Sequence, residues 1–297
     1  MPFNHEALTA HLFAPTRQSY TTRDTMLYAL GLGLGADPLD PLQLRYVYEQ
    51  DLVTLPTMAV VLGHPGFWAS DPALGIDWGN MLQVGQGLTV YRPISSEGEI
   101  MTRSRVADVI DRGEGRGALL YYERDVLEAQ TEDLIATVRQ TLLCRSNGGF
   151  GGEPRKAPAA RGAPERAPDH VVDTPTLPQA ALIYRLSGDV NPMHVDPAVA
   201  ARAGFTQPIL HGLATFGIAA VALIQNALDG DATRLTSLDT RFTSPVFPGD
   251  TIRTELWVEG DQVLLRASVP ARGVVALDAG VATIEPLAVP QAVAAAL

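Results

Sequence analysis

One pattern in this chain recurs at long range. Tyr28-Ala-Leu-Gly aligns without a gap with Tyr184-Arg-Leu-Ser, and twelve residues farther on Asp40-Pro41 aligns with Asp196-Pro197. Pro93-Ile94 and Ile100 likewise match Pro245-Val246 and Ile252. Self-similarity at so long a period argues for duplication of one structural unit, which restricts the fold to two related halves. Between them, Arg145 to His170 reads RSNGGFGGEPRKAPAARGAPERAPDH, with four prolines, five glycines and no aliphatic residue larger than alanine. Nothing in that run can build a core, so it reads as a solvated linker. The expected organisation is a unit over 1–144, a linker over 145–170 and a second unit over 171–297, each unit of ordinary domain size.

The order of signals is the same in both halves. In the second, a short helix is expected around Gln179 to Leu186, and after an irregular stretch Asp196 is placed to cap a helix with Pro197 at its first position. Gly204 stops that helix. A long helix comes next, from Gly212 to Leu228, apolar on nearly every side and therefore expected to be buried. Four strand-like runs come after it, at Leu235–Val246, Thr251–Glu259, Val263–Val269 and Val274–Ile284, and the first half echoes them at Leu88–Ile94, Glu99–Asp111, Ala118–Leu127 and Leu134–Leu143. Helix first, then antiparallel strands, indicates an α+β fold.

Composition narrows the function. With 33 acidic against 22 basic residues the net charge is −11, which disfavours nucleic acid as a partner. Cys144 is the single cysteine, so no disulfide framework and no cysteine-based zinc site is expected. No run approaches a membrane span, and Met1 to Tyr20 carries Asn4, His5, Glu6, His11 and Arg17 where a signal peptide needs an apolar core. The final Ala-Ala-Leu is no retention or peroxisomal address. A cytoplasmic protein is expected.

Two features carry chemistry. Ser187-Gly188-Asp189-Val190-Asn191-Pro192-Met193-His194 gathers a carboxylate, an amide and an imidazole in chain that Pro192 keeps from regular helix. Such residues often make Asx turns that cap a helix, and they also suit acid–base catalysis. The repeat weighs toward the second reading: the first half has Gly33, Gly35 and Pro38 where the second has Asp189, Asn191 and His194. Residues needed only for folding should appear twice. The second feature is Ile209-Leu210-His211-Gly212, which leads into the long apolar helix. The Gly212 N–H lies at the positive end of that helix, where it either stabilises an oxyanion or merely starts a tightly packed helix. Gly31, Gly33 and Gly35 come after a helix-like segment rather than a strand, so they do not form a dinucleotide fingerprint.

The run YRLSGDVNPMHVDPAVAARAGFTQPILHGLATFG resembles the hydratase 2 signature of (R)-specific enoyl-CoA hydratases, within the MaoC-like dehydratases of hotdog fold. RDTMLYALGLG, DPLQLRYVYEQDLVTLPTMAVVL, GLTVYRPI and RFTSPVFPGDTI extend that resemblance to the two-unit, double hotdog form. The resemblance implies two units side by side, each a long helix wrapped by a curved sheet. It also implies hydration of a trans-2-enoyl-CoA to a (3R)-3-hydroxyacyl-CoA, with no cofactor and no metal. By the same resemblance, Asp189 and His194 are the acid and base, Asn191 orients the water, and Gly212 is the oxyanion donor. His211, Arg241 and Phe242 are expected near the substrate, Arg241 either on CoA phosphate or as a strand-edge charge, and Glu49 either bordering the pocket or in a surface ion pair. Asp189, His194 and His211 also form a potential facial metal set, which the family does not use. His5, His11, His64 and His170 are expected to be solvated.

The degenerate first unit is expected to accommodate the acyl tail. The expected partners are an acyl-CoA thioester and, as one assembly, a second copy of the chain in a homodimer, with no nucleic acid and no membrane. Two alternatives stand beside this reading: dehydration of a branched, sterol-derived or carrier-bound 3-hydroxyacyl thioester, and acyl-CoA binding without catalysis.

Overall fold

The computed structural model describes residues 3–151 and 161–285. The first unit carries helices α1 His5–Thr9, α2 Thr22–Gly31 and α3 Pro41–Leu44, with strands β1 Thr16–Tyr20, β2 Met81–Val90, β3 Gly98–Asp111, β4 Ala118–Glu128 and β5 Leu134–Cys144. The second has β6 His170–Pro175, helices α4 Ala180–Tyr184, α5 Pro197–Arg202 and α6 Gly212–Ala227, and strands β7 Leu235–Phe242, β8 Thr251–Glu259, β9 Gln262–Val269 and β10 Val274–Ile284. All ten strands form one antiparallel sheet in the order β1-β3-β4-β5-β2-β7-β10-β9-β8-β6. From either edge the order is the same once equivalent strands are exchanged, as a duplicated unit requires.

The units join at β2 and β7, where Gly85 lies opposite Arg241 and Thr89 opposite Ser237. Arg139 on β5 reaches across β2 to Asp239 on β7 at 3.1 Å. A Cβ at Gly87 would stand 2.2 Å from the Asp239 carboxylate, so only glycine leaves this crossing open.

Equivalent residues meet around the same pseudo-twofold. The rings of Tyr28 and Tyr184, both fully buried, lie 5.9 Å apart. Asp40 accepts the N–H of Leu42 and Asp196 those of Ala198 and Val199, each with proline at the first helical position. The main core spans both units and is centred on α6, which is buried continuously from Leu213 to Ile224.

The structure corrects three expectations. The long helix occurs once among the described residues. Its counterpart in the first unit is a single 3-10 turn, Pro56–Val60, after which Gly63 takes φ +61° and Pro65 interrupts the chain. The strand expected over Leu235–Val246 ends at Phe242, before Pro245, which has no N–H to pair; Arg241 and Phe242 therefore close β7. The edges of the sheet are β1 and β6, two short strands that the sequence pattern does not announce.

Of the linker expected over 145–170, residues 152–160 lie outside the described residues. Its later part is tied to the sheet: Arg166 pairs with Asp169 at 2.9 Å, and Trp257 Nε1 on β8 donates to the Arg166 carbonyl at 2.9 Å.

Candidate active site

The loop between α4 and α5 carries the site. Pro192 limits it to a 3-10 turn over Pro192–His194, and the Asx turns expected of such residues are present. Asp189 Oδ1 accepts the Asn191 N–H at 3.2 Å, and Asn191 Oδ1 accepts the Met193 N–H at 3.0 Å. Capping and chemistry are therefore not exclusive here: the turns aim Asp189 and bring His194 inward. They also occupy the Asn191 carbonyl oxygen, leaving its amide nitrogen for a ligand.

The two imidazoles are held by backbone carbonyls. His194 Nδ1 lies 2.9 Å from Ile209 O, and His211 Nε2 lies 3.0 Å from Asp189 O. A carbonyl only accepts, so His194 carries its proton on Nδ1 and His211 on Nε2. His194 therefore presents a free lone pair on Nε2. Burial lowers the pKa of His194 despite the opposing pull of Asp189. His211, fully buried, is pushed down to about 4, first by burial and then by repulsion from His194. Both rings are neutral at pH 7, the state a general base needs.

His211 is also the N-cap of α6, but its side chain is turned to Asp189 O and makes no cap hydrogen bond. The helix therefore offers its first amides, beginning with Gly212, to an outside acceptor. The glycine has a packing reason as well: a Cβ there would approach the Phe242 ring to 3.1 Å. The tight packing at Gly212 and an N–H left without a side-chain cap occur together at this position.

Asp189, His194 and His211 each offer a ligand atom within 4.8 Å of the others. The two rings, however, are stacked 3.8 Å apart with planes 28° from parallel. Their in-plane lone pairs run side by side instead of converging on one ion, as bonds of about 2.0–2.1 Å would require. The arrangement suits proton transfer better than a metal.

The structure thus brings together Asp189, His194, His211, Asn191, Gly212 and Phe242. Arg241 is exposed and, one residue from Phe242 on the same strand, faces the opposite side of the sheet. Glu49 is exposed in the turn after α3 and makes no hydrogen bond to the cluster among the described residues. His64, expected in solvent, is exposed at the surface, while desolvation of its ring and then the Arg124 cation lower its pKa to about 4 against the pull of Asp189. The degenerate half is emptier than the glycines alone show. The spacing that pairs Tyr28 with Tyr184 pairs Gly212 with Pro56, which has no amide proton at all.

Beside the loop is a cavity of about 120 Å³, lined by Leu27, Met58, Val61 and Leu62 of the first unit, by Gln18, Tyr20 and Asp24, and by Leu186, Ser187 and Gly188. Among the described residues no helix is long and apolar enough to cross a membrane.

Comparison with known proteins agrees with this architecture. Residues 18–146 match the MFE-2 hydratase 2 N-terminal domain, and residues 159–278 match the MaoC like domain. The 3-hydroxyacyl-thioester dehydratase Y of Mycobacterium tuberculosis is 39% identical over 257 residues, covering 86% of this chain and 88% of the relative. The peroxisomal enoyl-CoA hydratase 2 of Arabidopsis thaliana is 37% identical over 293 residues, covering 91% and 92%. A crystal structure of a MaoC-like dehydratase from Phytophthora capsici superposes with a TM-score of 0.83 at 32% identity, over 96% of this chain and all of that one. With both halves matched and relatives aligned nearly end to end, the chain belongs to the MaoC-like dehydratase family, in its two-unit form with a hydratase 2 N-terminal domain.

Proposed function

We propose that the protein is a hydro-lyase that adds water to a trans-2-enoyl-CoA to give the (3R)-3-hydroxyacyl-CoA. The observation that carries this reading is the convergence of the Asp189 carboxylate, a neutral His194 with a free Nε2, and the uncapped N-terminus of α6 at Gly212.

In this mechanism the thioester oxygen rests on the Gly212 N–H. Asp189 and the Asn191 amide hold one water, His194 Nε2 takes its proton, and the hydroxyl attacks C3. The enolate that forms is stabilised by the α6 amide, and protonated His194 returns the proton to C2. One water thus supplies hydroxyl and hydrogen to the same face. No redox group enters these steps, since adding a hydroxyl to C3 and a proton to C2 leaves the net oxidation level unchanged. Run backward the same groups dehydrate a 3-hydroxyacyl thioester, the activity in the name of the mycobacterial relative.

The acyl tail is assigned to the cavity at the first unit, whose apolar side is Leu27, Met58, Val61 and Leu62. A cytoplasmic setting accords with the free, buried Cys144.

The test is loss of enoyl thioester absorbance when protein is added to crotonyl-CoA and longer homologues, with chiral analysis of the product. Hydration to the R alcohol is expected, invisible to an (S)-specific 3-hydroxyacyl-CoA dehydrogenase, with solvent deuterium at C2 on the side of the new hydroxyl. No hydration of any enoyl-CoA rejects the reading, and an S product or anti addition rejects the single-water geometry.

A further inference from the structure

Arg124 on β4 is completely buried, and among the described residues no carboxylate pairs with it. Its Nη2 donates to the carbonyls of Ala59 at 3.3 Å and Val60 at 2.7 Å, while Nε and Nη1 have no partner. The Tyr122 hydroxyl is near but outside bonding geometry, engaged with Ser104 at 2.7 Å. An unpaired buried cation works against stability, so its place here calls for another explanation.

The two carbonyls it grips end the 3-10 turn that replaces α6 in the first unit. The same segment is gripped twice more: Gly63 N–H donates to Gln18 Oε1 at 2.6 Å, and Thr102 Oγ1 donates to Gly63 O at 3.0 Å. Between these grips the Val61 carbonyl faces the catalytic loop, 3.6 Å from where a Cβ of Gly188 would lie. Gly188 immediately precedes Asp189 and holds φ +122°. Val61, Leu62, Ser187 and Gly188 also line one cavity.

We infer that Arg124 is a positioning residue for the hydration: by holding the Ala59 and Val60 carbonyls it seats the 59–64 segment against Gly188, and so fixes Asp189 relative to His194 and the Gly212 amide. The truncated helix of the first unit is then a strut for the site of the second. This inference rests on the proposed reaction for its kinetic consequence, and on the contacts of Arg124 and Gly188 for the mechanical one.

The full-length chain is tested with Arg124→Met, Arg124→Lys and Thr102→Val, measuring kcat and KM on crotonyl-CoA, melting temperature, and amide hydrogen exchange by mass spectrometry. Arg124→Met is expected to lower kcat by about 10- to 100-fold, the scale of a small misplacement of catalytic groups, with KM within about twofold. Exchange should quicken over 59–64 and 186–195 while β7 to β10 stay protected. Arg124→Lys should recover most of the turnover. Thr102→Val should have a smaller effect, less than additive with Arg124→Met because both act on one segment. Wild-type kcat in Arg124→Met overturns the inference, as does a kcat loss accompanied by raised KM and faster exchange throughout. Should Arg124→Met fail to fold, Thr102→Val decides: unchanged kcat and unchanged exchange over 186–195 overturn it. Should the wild-type chain hydrate no enoyl-CoA, the proposed function fails, and the exchange measurements alone still decide whether Arg124 holds the Asp189 loop.

Discussion

Replacing Gly212 with proline removes one atom group of interest, the first N–H of α6, at a position suited to proline. Proline is favoured at the first residue of a helix, where the missing N–H has no partner in the helix anyway. The preceding residue must be extended, and His211 already is, with φ −57° and ψ 134°. The first unit supplies a natural precedent, since Pro56 starts its turn at the matching place. The steric cost is readable: a Cβ at Gly212 meets Phe242 at 3.1 Å, so the ring must yield by a few tenths of an ångström. Gly212→Ala incurs the same contact and keeps the amide. The Cβ contact is common to the two variants, so their difference reports the N–H and the ring Cδ that takes its place, and an oxyanion donor is worth about 2.7–4 kcal/mol, or 10²–10³ in kcat. Turnover of crotonyl-CoA and melting temperature would be measured for both. Gly212→Pro is expected to melt close to Gly212→Ala and to turn over at least about 10²-fold more slowly. Equal kcat values in the two folded variants would refute the assignment of the α6 amide.

Asp189→Asn and His194→Gln should each lower kcat by about 10² or more, with unchanged circular dichroism; near wild-type turnover in either removes that residue from the mechanism. Because His194 is lowered below its usual 6.5, the acid limb of kcat/KM should fall below that pH. His211 makes stability pH-dependent: its folded pKa of about 4 lies below the unfolded 6.5, so its contribution is fully present above pH 6.5 and is lost as pH falls toward 4. At about 1.4 kcal/mol per pKa unit this approaches roughly 3 kcal/mol, and His211→Gln should flatten the urea midpoint between pH 7 and pH 4.5. The same slope in wild type and variant would contradict it. Protease cleavage within 152–160 should leave the halves associated through the β2–β7 ladder; separation on gel filtration without denaturant would contradict the shared sheet.

Much of this molecule is visible in its sequence because local chemistry and tertiary role coincide. Asp196-Pro197 is a cap and a first helical residue in any context, and the unbroken apolar face of Gly212–Ala227 admits only a buried helix. The duplication then made glycines at 33 and 35 informative about Asp189 and Asn191. Other features depend on partners remote in sequence. Thr16–Tyr20 and His170–Pro175 are short and half polar, and become strands only because β3 and β8 present edges to them. Leu55–Leu62 is as apolar as the start of α6, yet Pro56, Gly63 and Pro65 bracket it, and Gln18, Thr102 and Arg124 of the strands hydrogen-bond to backbone groups at its end. Arg124 carries no signal of its hold on the Ala59 and Val60 carbonyls, which lie more than sixty positions away along the chain and are brought to it only by tertiary folding.

The loss of the amide at Pro56 and of polar groups at Gly33, Gly35 and Pro38 has a bearing on stoichiometry. Two identical subunits must change together, since one gene writes both. Joined in a single chain, the two copies vary independently, and here one carries glycine or proline at all four positions aligned with the candidate site while keeping the strands that complete the sheet. Titration with a tight-binding enolate mimic should therefore saturate at one ligand per polypeptide, half the number that the symmetry of the sheet alone would suggest.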